Sequence, residues 1–523
     1  MKPIAMSTSD FSDLMGNGCI YVDKTAYFHR LITNLNSRLC FIARPRRFGK
    51  SLMISTLKAI FEGRRELFDG LAIARMDWAW ETWPVIHFNF GGLETADMSR
   101  FDSSLATHVK SRLAYAGYAC DPALGAAENF GLAIESFAPS NGGKGVVILI
   151  DEYDAPVGHT LGEPDKAEAI RARLSAFYAQ MKDRTGAIRF LMMTGVSKFT
   201  KLSVFSALNN IVDLTMSDAY ATMLGYTEEE LGANFEEYLR AHAARMGKPY
   251  DVYRAEMKRW YNGFRFTKGV ETTVYNPISV AYTLDAMESV FSATWTTTGR
   301  PSMLMNYLRR EDMLALDYEK VEAVPGSSFE VADLGRLKPV AVLYQSGYLT
   351  IRDYNPDTDD YTLGVPDEEV RRDLATLFVS VAAKKDDTWG ANLGKMLLHA
   401  KWPEFFDGLK ALYAAMAYGT TEGRVHENAY GRCLAFLLAS CGFRFRMEDV
   451  QSDGRSDIVA EHAVMTCVFG LKVGEPVDRA FKQIRDKGYA EPYRVGNRPV
   501  WGIGLSFNPQ TRRLDDAAAE LLR

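Results

Sequence analysis

Lys50 and Ser51 close the octapeptide Arg44-Pro-Arg-Arg-Phe-Gly-Lys-Ser51, which is basic and contains one glycine. Such a stretch suits a phosphate chain. Backbone N–H groups of a loop wrap the oxygens, the Lys50 ammonium reaches the outer phosphates, and the Ser51 hydroxyl is a ligand for Mg2+. The usual spacing opens with Gly where this chain has Arg44. Taken singly, the octapeptide also fits a strand–helix turn with a solvated basic cluster. A second constellation narrows the choice. Residues 146–152 (Val-Val-Ile-Leu-Ile-Asp-Glu) form an apolar run ending in Asp151 and Glu152. A phosphate-loop enzyme needs an Asp there to hold the Mg2+ water shell, and the adjacent Glu is placed to orient or deprotonate the attacking water. A generic strand ending in two acids explains this motif alone, but explains both motifs in this order poorly. A third run, 188–193, ends at Thr194-Gly195. The Thr194 hydroxyl could sense the terminal phosphate, and it equally suits a capped turn. Among Arg44, Arg46 and Arg47, one would neutralise phosphate charge and another pair with an acid on a neighbouring element. The residues do not say which. The expected nucleotide-binding set is Arg44, Pro45, Arg46, Arg47, Phe48, Gly49, Lys50, Ser51, Leu52 and Thr194.

These residues need a strand before the loop, a helix after it, and further strands beside the first. Residues 39–43 (LCFIA) read as that strand, and 52–61 as the helix. Runs at 85–90, 145–150 and 188–193 are strand-like, and strands alternating with helical patterns argue for a mostly parallel sheet. From Thr227-Glu-Glu-Glu230, a helix-start signature, the pattern is mainly helical to about 316. Residues 260–266, Tyr275-Asn-Pro277 and Trp295 are aromatic-rich, which fits either a nucleotide-sensing lid or an ordinary core between helices. Residues 337–366 read as helix, Gly347, strand, acidic turn and strand, a small winged-helix-like unit. A helical stretch, 368–418, leads to a linker-like Gly-Thr-Thr-Glu-Gly at 419–423. The remainder returns to α/β alternation. The expected domains are therefore 1–225, 226–418 and 419–523.

Composition excludes several classes. With 47% hydrophobic and 24% charged residues, the chain is neither disordered nor fibrous. A formal net charge of −5 leaves no global basic field, so contact with DNA or RNA would need a local patch. No apolar stretch approaches the roughly 20 residues that span a bilayer, and residues 1–10 lack a signal-peptide core. The six cysteines contain no C-x-x-C pair, which suggests free thiols and a cytoplasmic protein.

The chain resembles a bacterial family, the AAA-ATPase-like proteins that carry a C-terminal PD-(D/E)XK nuclease-superfamily domain. The resemblance rests on Tyr21-Val-Asp-Lys-Thr25, Arg44 to Leu52, Leu149-Ile-Asp-Glu-Tyr-Asp154 and Thr194-Gly-Val-Ser-Lys-Phe199. It continues through Phe205-Ser-Ala-Leu-Asn-Asn210, Trp260-Tyr-Asn-Gly-Phe264, Tyr275-Asn-Pro277 and Tyr344-Gln-Ser-Gly-Tyr-Leu-Thr350. It ends in Gly454-Arg-Ser-Asp457 and Gln483-Ile-Arg-Asp-Lys-Gly-Tyr489. Arg44 in place of the first loop Gly belongs to that family's own version of the loop. The resemblance implies an additional-strand P-loop ATPase core, with Lys50 and Ser51 on ATP and Mg2+, Asp151 on Mg2+ and Glu152 as catalytic acid. It also implies a C-terminal restriction-endonuclease-like α/β domain, in which an Asp opens one strand and an acid-x-Lys stands on the next.

In that second pattern Asp457 is the Asp that binds metal and Lys472 the catalytic Lys. Gly470, two residues before Lys472, stands where relatives carry Glu, and it offers no carboxylate. Glu448 occupies a position where relatives often have an acid, and Gln483 one where the family uses a Gln near the metal. Loss of one of two carboxylates weakens Mg2+ binding, so the nuclease-like domain is expected to be degenerate. A Glu at 470 should be tolerated, since a residue with Cβ is easier to order in a strand than Gly. Two functional readings follow: an ATP-hydrolysing enzyme coupled to the nuclease-like module, or a nucleotide-regulated switch that grips nucleic acid or a protein without cleavage. A GTPase lacks support, because no Asn-Lys-x-Asp is present. The oligomeric state is not encoded in any pattern found.

Overall fold

A computed structural model describes residues 1–198, 210–285, 290–295, 318–329, 338–417, 427–450, 455–488, 490–493 and 498–522. Phe199, residues 205–209, the 419–423 linker, Gly454 and Tyr489 lie outside the described residues. Contacts group the chain into two compact units. One gathers Met1–Ser292 with Tyr318–Asp367, and the other is built on Glu368–Arg523.

The first unit opens with α1 (Phe11–Gly16) and α2 (Thr25–Thr33), then β1 (Leu39–Ala43) and α3 (Lys50–Phe61). Next come β2 (Val85–Asn89), α4 (Met98–Tyr115), α5 (Ala126–Ser136) and β3 (Val146–Asp151), followed by α6 (Ala155–His159), α7 (Pro164–Ala179), β4 (Ile188–Gly195) and β5 (Val212–Asp213). The five strands form one sheet in the order β2-β3-β4-β1-β5, and every pairing is parallel. β3 is buried along its whole length, as expected of a strand covered by helices on both faces. Phe88, Phe130 and Phe177 fill one side, with the Phe130 and Phe177 rings stacked at 4.5 Å.

α8 (Glu228–Arg245) begins where the sequence places a helix start. Thr227 accepts from Glu230 N, and Glu230 accepts from Thr227 N, a reciprocal cap that satisfies two otherwise orphaned donors. α9 (Tyr250–Tyr261), β6 (Asn262–Phe264), β7 (Val274–Tyr275) and α10 (Pro277–Asp285) follow. Trp260, Tyr261, Phe264, Phe266 and Tyr275 are all buried, as the core alternative requires. β8 (Val321–Pro325), α11 (Pro339–Gln345), β9 (Thr350–Asn355) and β10 (Asp360–Gly364) complete the unit. Their three strands form an antiparallel sheet in the order β8-β10-β9. The expected helix and two strands are therefore present, with β8 as a third.

The second unit contains α12 (Glu368–Ala383), α13 (Asp387–Leu398), α14 (Trp402–Ala417) and α15 (Glu427–Ser440). Then follow β11 (Arg444–Val450), β12 (Arg455–Glu461), β13 (Thr466–Val473), α16 (Val477–Asp486), β14 (Val500–Phe507) and β15 (Leu514–Leu521). The strands form a mixed sheet in sequential order, with β13 and β14 parallel and the other pairs antiparallel. Period-two alternation sorts β13 between two cores. Cys467, Phe469 and Leu471 face the core shared with the helices, while Val468 packs with Phe481 and Ile484 of α16. Gly470 is paired with Gly504, and α16 lies close over both. A Cβ at 504 would fall 2.6 Å from Val477 Cγ2 and 3.2 Å from the Val477 carbonyl oxygen. We expect Gly504→Ala to destabilise this unit by about 1–3 kcal/mol, the usual effect of overpacking a core. Thermal or denaturant unfolding checks this, and adding Val477→Ala should recover part of the loss.

Candidate active site and nuclease-like site

Because the first sheet is parallel, β1, β3 and β4 all end on one edge, the edge where ligands bind in such folds. The 44–49 loop joins β1 to α3 and turns through left-handed backbone at Arg47 (φ 71°) and Gly49 (φ 85°). Lys50 and Ser51 occupy the first turn of α3, where free N–H groups and the helix dipole favour an anion. Lys50 is buried, and its Nζ donates to the carbonyls of Arg44 (2.9 Å) and Pro45 (2.7 Å). Burial pulls the ammonium down to about 8, against the opposing carboxylates of Asp151, Asp154 and Glu152.

Asp151 is buried at the end of β3. Burial raises its carboxyl, while the Ser51 hydroxyl, donating to it, and the Lys50 charge pull the other way. Ser51 and Asp151 thus form an adjacent all-oxygen pair, the donor chemistry that Mg2+ prefers. Glu152 has left-handed backbone (φ 53°), a conformation that costs a non-glycine residue of order 1–3 kcal/mol. Its N–H donates to Asp151 Oδ1 at 3.0 Å. A Cβ on Gly91 would overlap Glu152 Oε2, so the Glu152 carboxylate lies directly against the backbone after β2. Asn89 of β2 accepts from Gly91 N at 2.9 Å, and its Nδ2 stands 3.5 Å from Asp151 Oδ2. Thr194 is fully buried at the tip of β4, paired in register with Ile42 of β1. Its hydroxyl has no hydrogen-bond partner among the described residues.

The other loop residues divide by direction. Arg44 is turned into the interior, donating to Ala43 O at 2.9 Å and Thr215 O at 2.6 Å, with its guanidinium 4.2 Å from the Phe266 ring centre. Burial brings it down to about 10. Phe48 is buried edge-on against Phe264 (4.8 Å) and Phe266 (5.3 Å). Arg46 is exposed, and its charge acts on Lys50 and His159. Arg47, Gly49 and Leu52 are half-buried. Sequence reasoning passed over Asn89, Gly91 and Asp154. Of these, Asp154 carried a visible signal, as the last acid of Asp151-Glu-Tyr-Asp154.

In the second unit, backbone register sets Glu448 opposite Asp457, and Asp457 opposite Gly470. Lys472 is buried and its Nζ donates to Gln483 Oε1 of α16, so these two expected residues do meet. Gly470 is enclosed. A Cβ there would stand 2.9 Å from Ala480 Cβ and 3.2 Å from the Ala480 carbonyl oxygen. This corrects the expectation that the strand would accept Glu at 470: the obstacle is helix backbone, which cannot swing aside as a side chain can. Among the described residues, no cluster of three or more His, Cys, Asp or Glu is set to hold a metal.

A sheet in which β4 separates the phosphate-loop strand from the acidic strand, with Lys50, Ser51, Asp151 and Glu152 at its edge, defines an additional-strand P-loop ATPase domain. Comparison with known proteins agrees. Residues 3–205 match the family described as "Predicted AAA-ATPase", and residues 425–517 match the PD-(D/E)XK nuclease superfamily. A relative from Azotobacter chroococcum mcd 1, described as an uncharacterized protein in the vnfD 5' region, is 32% identical over 97% of this chain and 96% of its own length. No solved structure matches. The chain belongs to the family of AAA-ATPase-like proteins with a C-terminal PD-(D/E)XK nuclease-superfamily domain.

The contact between Gly91 and Glu152 yields a test of the ATPase site. Gly91→Ala should displace the Glu152 carboxylate and lower kcat for ATP at least tenfold. Affinity for a non-hydrolysable ATP analogue should stay within about threefold, measured by fluorescence titration.

Proposed function

We propose that the protein hydrolyses ATP with Mg2+ at the 44–51 loop, and that its nuclease-like domain grips a nucleic acid or protein partner without cutting it. The observation behind the first part is the convergence of Lys50, Ser51, Asp151 and Glu152 on one sheet edge. On binding ATP, Lys50 exchanges two loop carbonyls for phosphate oxygens, and the α3 N-terminus takes the phosphates on backbone N–H groups. Ser51 and Asp151 hold Mg2+, which supplies charge neutralisation at the phosphates. Glu152 orients the attacking water and accepts its proton, and the Thr194 hydroxyl, which has no hydrogen-bond partner among the described residues, is available to sense the terminal phosphate.

What supports the second part is the pressing of α16 onto Gly470, which takes the space a second carboxylate would need. A site with one carboxylate fewer holds a metal less rigidly, and misplacement by about 1 Å can lower such catalysis on the order of a hundredfold. Backbone register pairs Glu448 with Asp457, which leaves it, with Glu461 and Glu475, as a candidate substitute acid. Arg479, Lys482 and Lys487 are exposed on and just after α16, and the exposed Arg485 pairs with Glu520 at 3.3 Å. None of the six cysteines is paired, which fits a reducing compartment such as the cytoplasm. No helix among the described residues is long and apolar enough to cross a membrane.

Lys50→Ala should weaken ATP binding about tenfold or more, since a charge-assisted contact contributes ~1.5–3 kcal/mol. Glu152→Gln should bind ATP and not turn it over. Parental hydrolysis rates in both variants would refute the ATPase assignment. For the second domain, Mg2+-dependent cleavage of DNA and RNA by the parent should be undetectable. Gly470→Glu should lower the melting temperature instead of switching cleavage on. Robust parental cleavage that disappears in Asp457→Ala would show an intact nuclease.

A further inference from the structure

Asp154 lies three residues beyond the acid of β3, in the residue before α6, where a side chain often caps the helix. It does not do so. Its carboxylate crosses instead to the exit of β4, where both oxygens accept from Val196 N (3.2 and 3.1 Å) and Oδ2 also accepts from Ser197 N at 2.6 Å. Its neighbour Tyr153 works on the same segment. Tyr153 N donates to Thr194 O at 3.1 Å, and its hydroxyl donates to Ser197 O at 2.8 Å. The Tyr153 carbonyl is itself held by the Tyr178 hydroxyl at 3.1 Å. From the other side, Arg44 N donates to Gly195 O at 3.2 Å. The strand tip 194–197 is thus fixed between the acidic strand and the first residue of the phosphate loop. Gly195 makes this possible, because a Cβ there would overlap both Asp154 Oδ1 and the Tyr153 ring.

Burying a carboxylate this deeply is unfavourable unless it is well hydrogen-bonded. Asp154 is only 5% exposed, and its bonds go to backbone N–H groups of one short segment. That segment begins with Thr194, whose buried hydroxyl has no partner among the described residues. We propose that Asp154 is a positioning residue for ATP hydrolysis: its carboxylate fixes the 194–197 tip, and with it the Thr194 hydroxyl, against the phosphate loop. This rests on the ATPase reading above. The effect falls mainly on turnover, because Lys50, Ser51 and the α3 N-terminus grip the nucleotide; Asp154→Asn also removes one of the three carboxylates that act on Lys50, whereas Gly195→Ala keeps that charge.

Asp154→Asn keeps the side-chain size, removes the charge and puts a donor where one acceptor stood. It should lower kcat for ATP at least tenfold while affinity for a non-hydrolysable, fluorescent ATP analogue stays within about threefold. Gly195→Ala forces Asp154 and Tyr153 off the same tip and provides a second route should Asp154→Asn fold poorly. It should give the same split, and the double variant should be no worse than the poorer single one. With Glu152→Gln as the inactive control, a kcat within twofold of the parent in both variants overturns the proposal. So does a parallel fall of kcat, affinity and melting temperature, which a purely structural role would give. Absence of ATP hydrolysis in the parent would instead remove the ATPase reading, and this one with it.

Discussion

An ammonium buried at the edge of a sheet sets the terms for the first unit. Lys50 loses its hydration and is held by two carbonyls of its own loop, with three carboxylates around it. A buried cation is tolerable only with such partners, so the loop conformation, the ends of β3 and β4 and the start of α3 depend on one another. Phosphate oxygens are better partners for Lys50 than neutral carbonyls, and the helix N-terminus adds to that preference.

The outer part of the loop is anchored by apolar contact. Arg44 and Phe48 replace the usual freedom of a glycine-rich loop with packing against Phe264 and Phe266. Arg265, between these rings, donates to Thr267 O at 3.0 Å, and its backbone N–H donates to Thr350 Oγ1 of β9 at 2.7 Å. The phosphate loop is therefore continuous, through close-packed rings and hydrogen bonds, with the small antiparallel sheet of the same unit. Interiors packed this way transmit strain poorly absorbed elsewhere.

Glycine has opposite consequences in the two units. Gly91 and Gly195 leave room for the carboxylates of Glu152 and Asp154, and so serve charged groups. Gly470 and Gly504 leave room for a helix, and so favour apolar packing over a charged site. A nuclease-type sheet needs its acids and its helix near the same strands. In this chain the helix has taken the position beside Lys472, and Lys472 bonds to Gln483 of that helix.

Much of this was legible in the sequence. The strand before the loop, the acidic strand, the third strand ending at Thr194 and the helix start at Thr227 follow from periodicity and capping chemistry, which are local. The residues that meet at the phosphate edge also follow, because parallel strands must end on one side. Long-range packing decided the rest. No local pattern shows that Arg44 turns inward onto Phe266, since that depends on a ring 222 positions further along. Nor does any show that Gly91 clears space for Glu152, or that Asp154 reaches across to Val196 and Ser197. The sequence at Gly470 registers a missing carboxylate. Only the fold reveals that Ala480 occupies the space, because closeness of helix to strand is a property of three-dimensional packing and not of spacing along the chain.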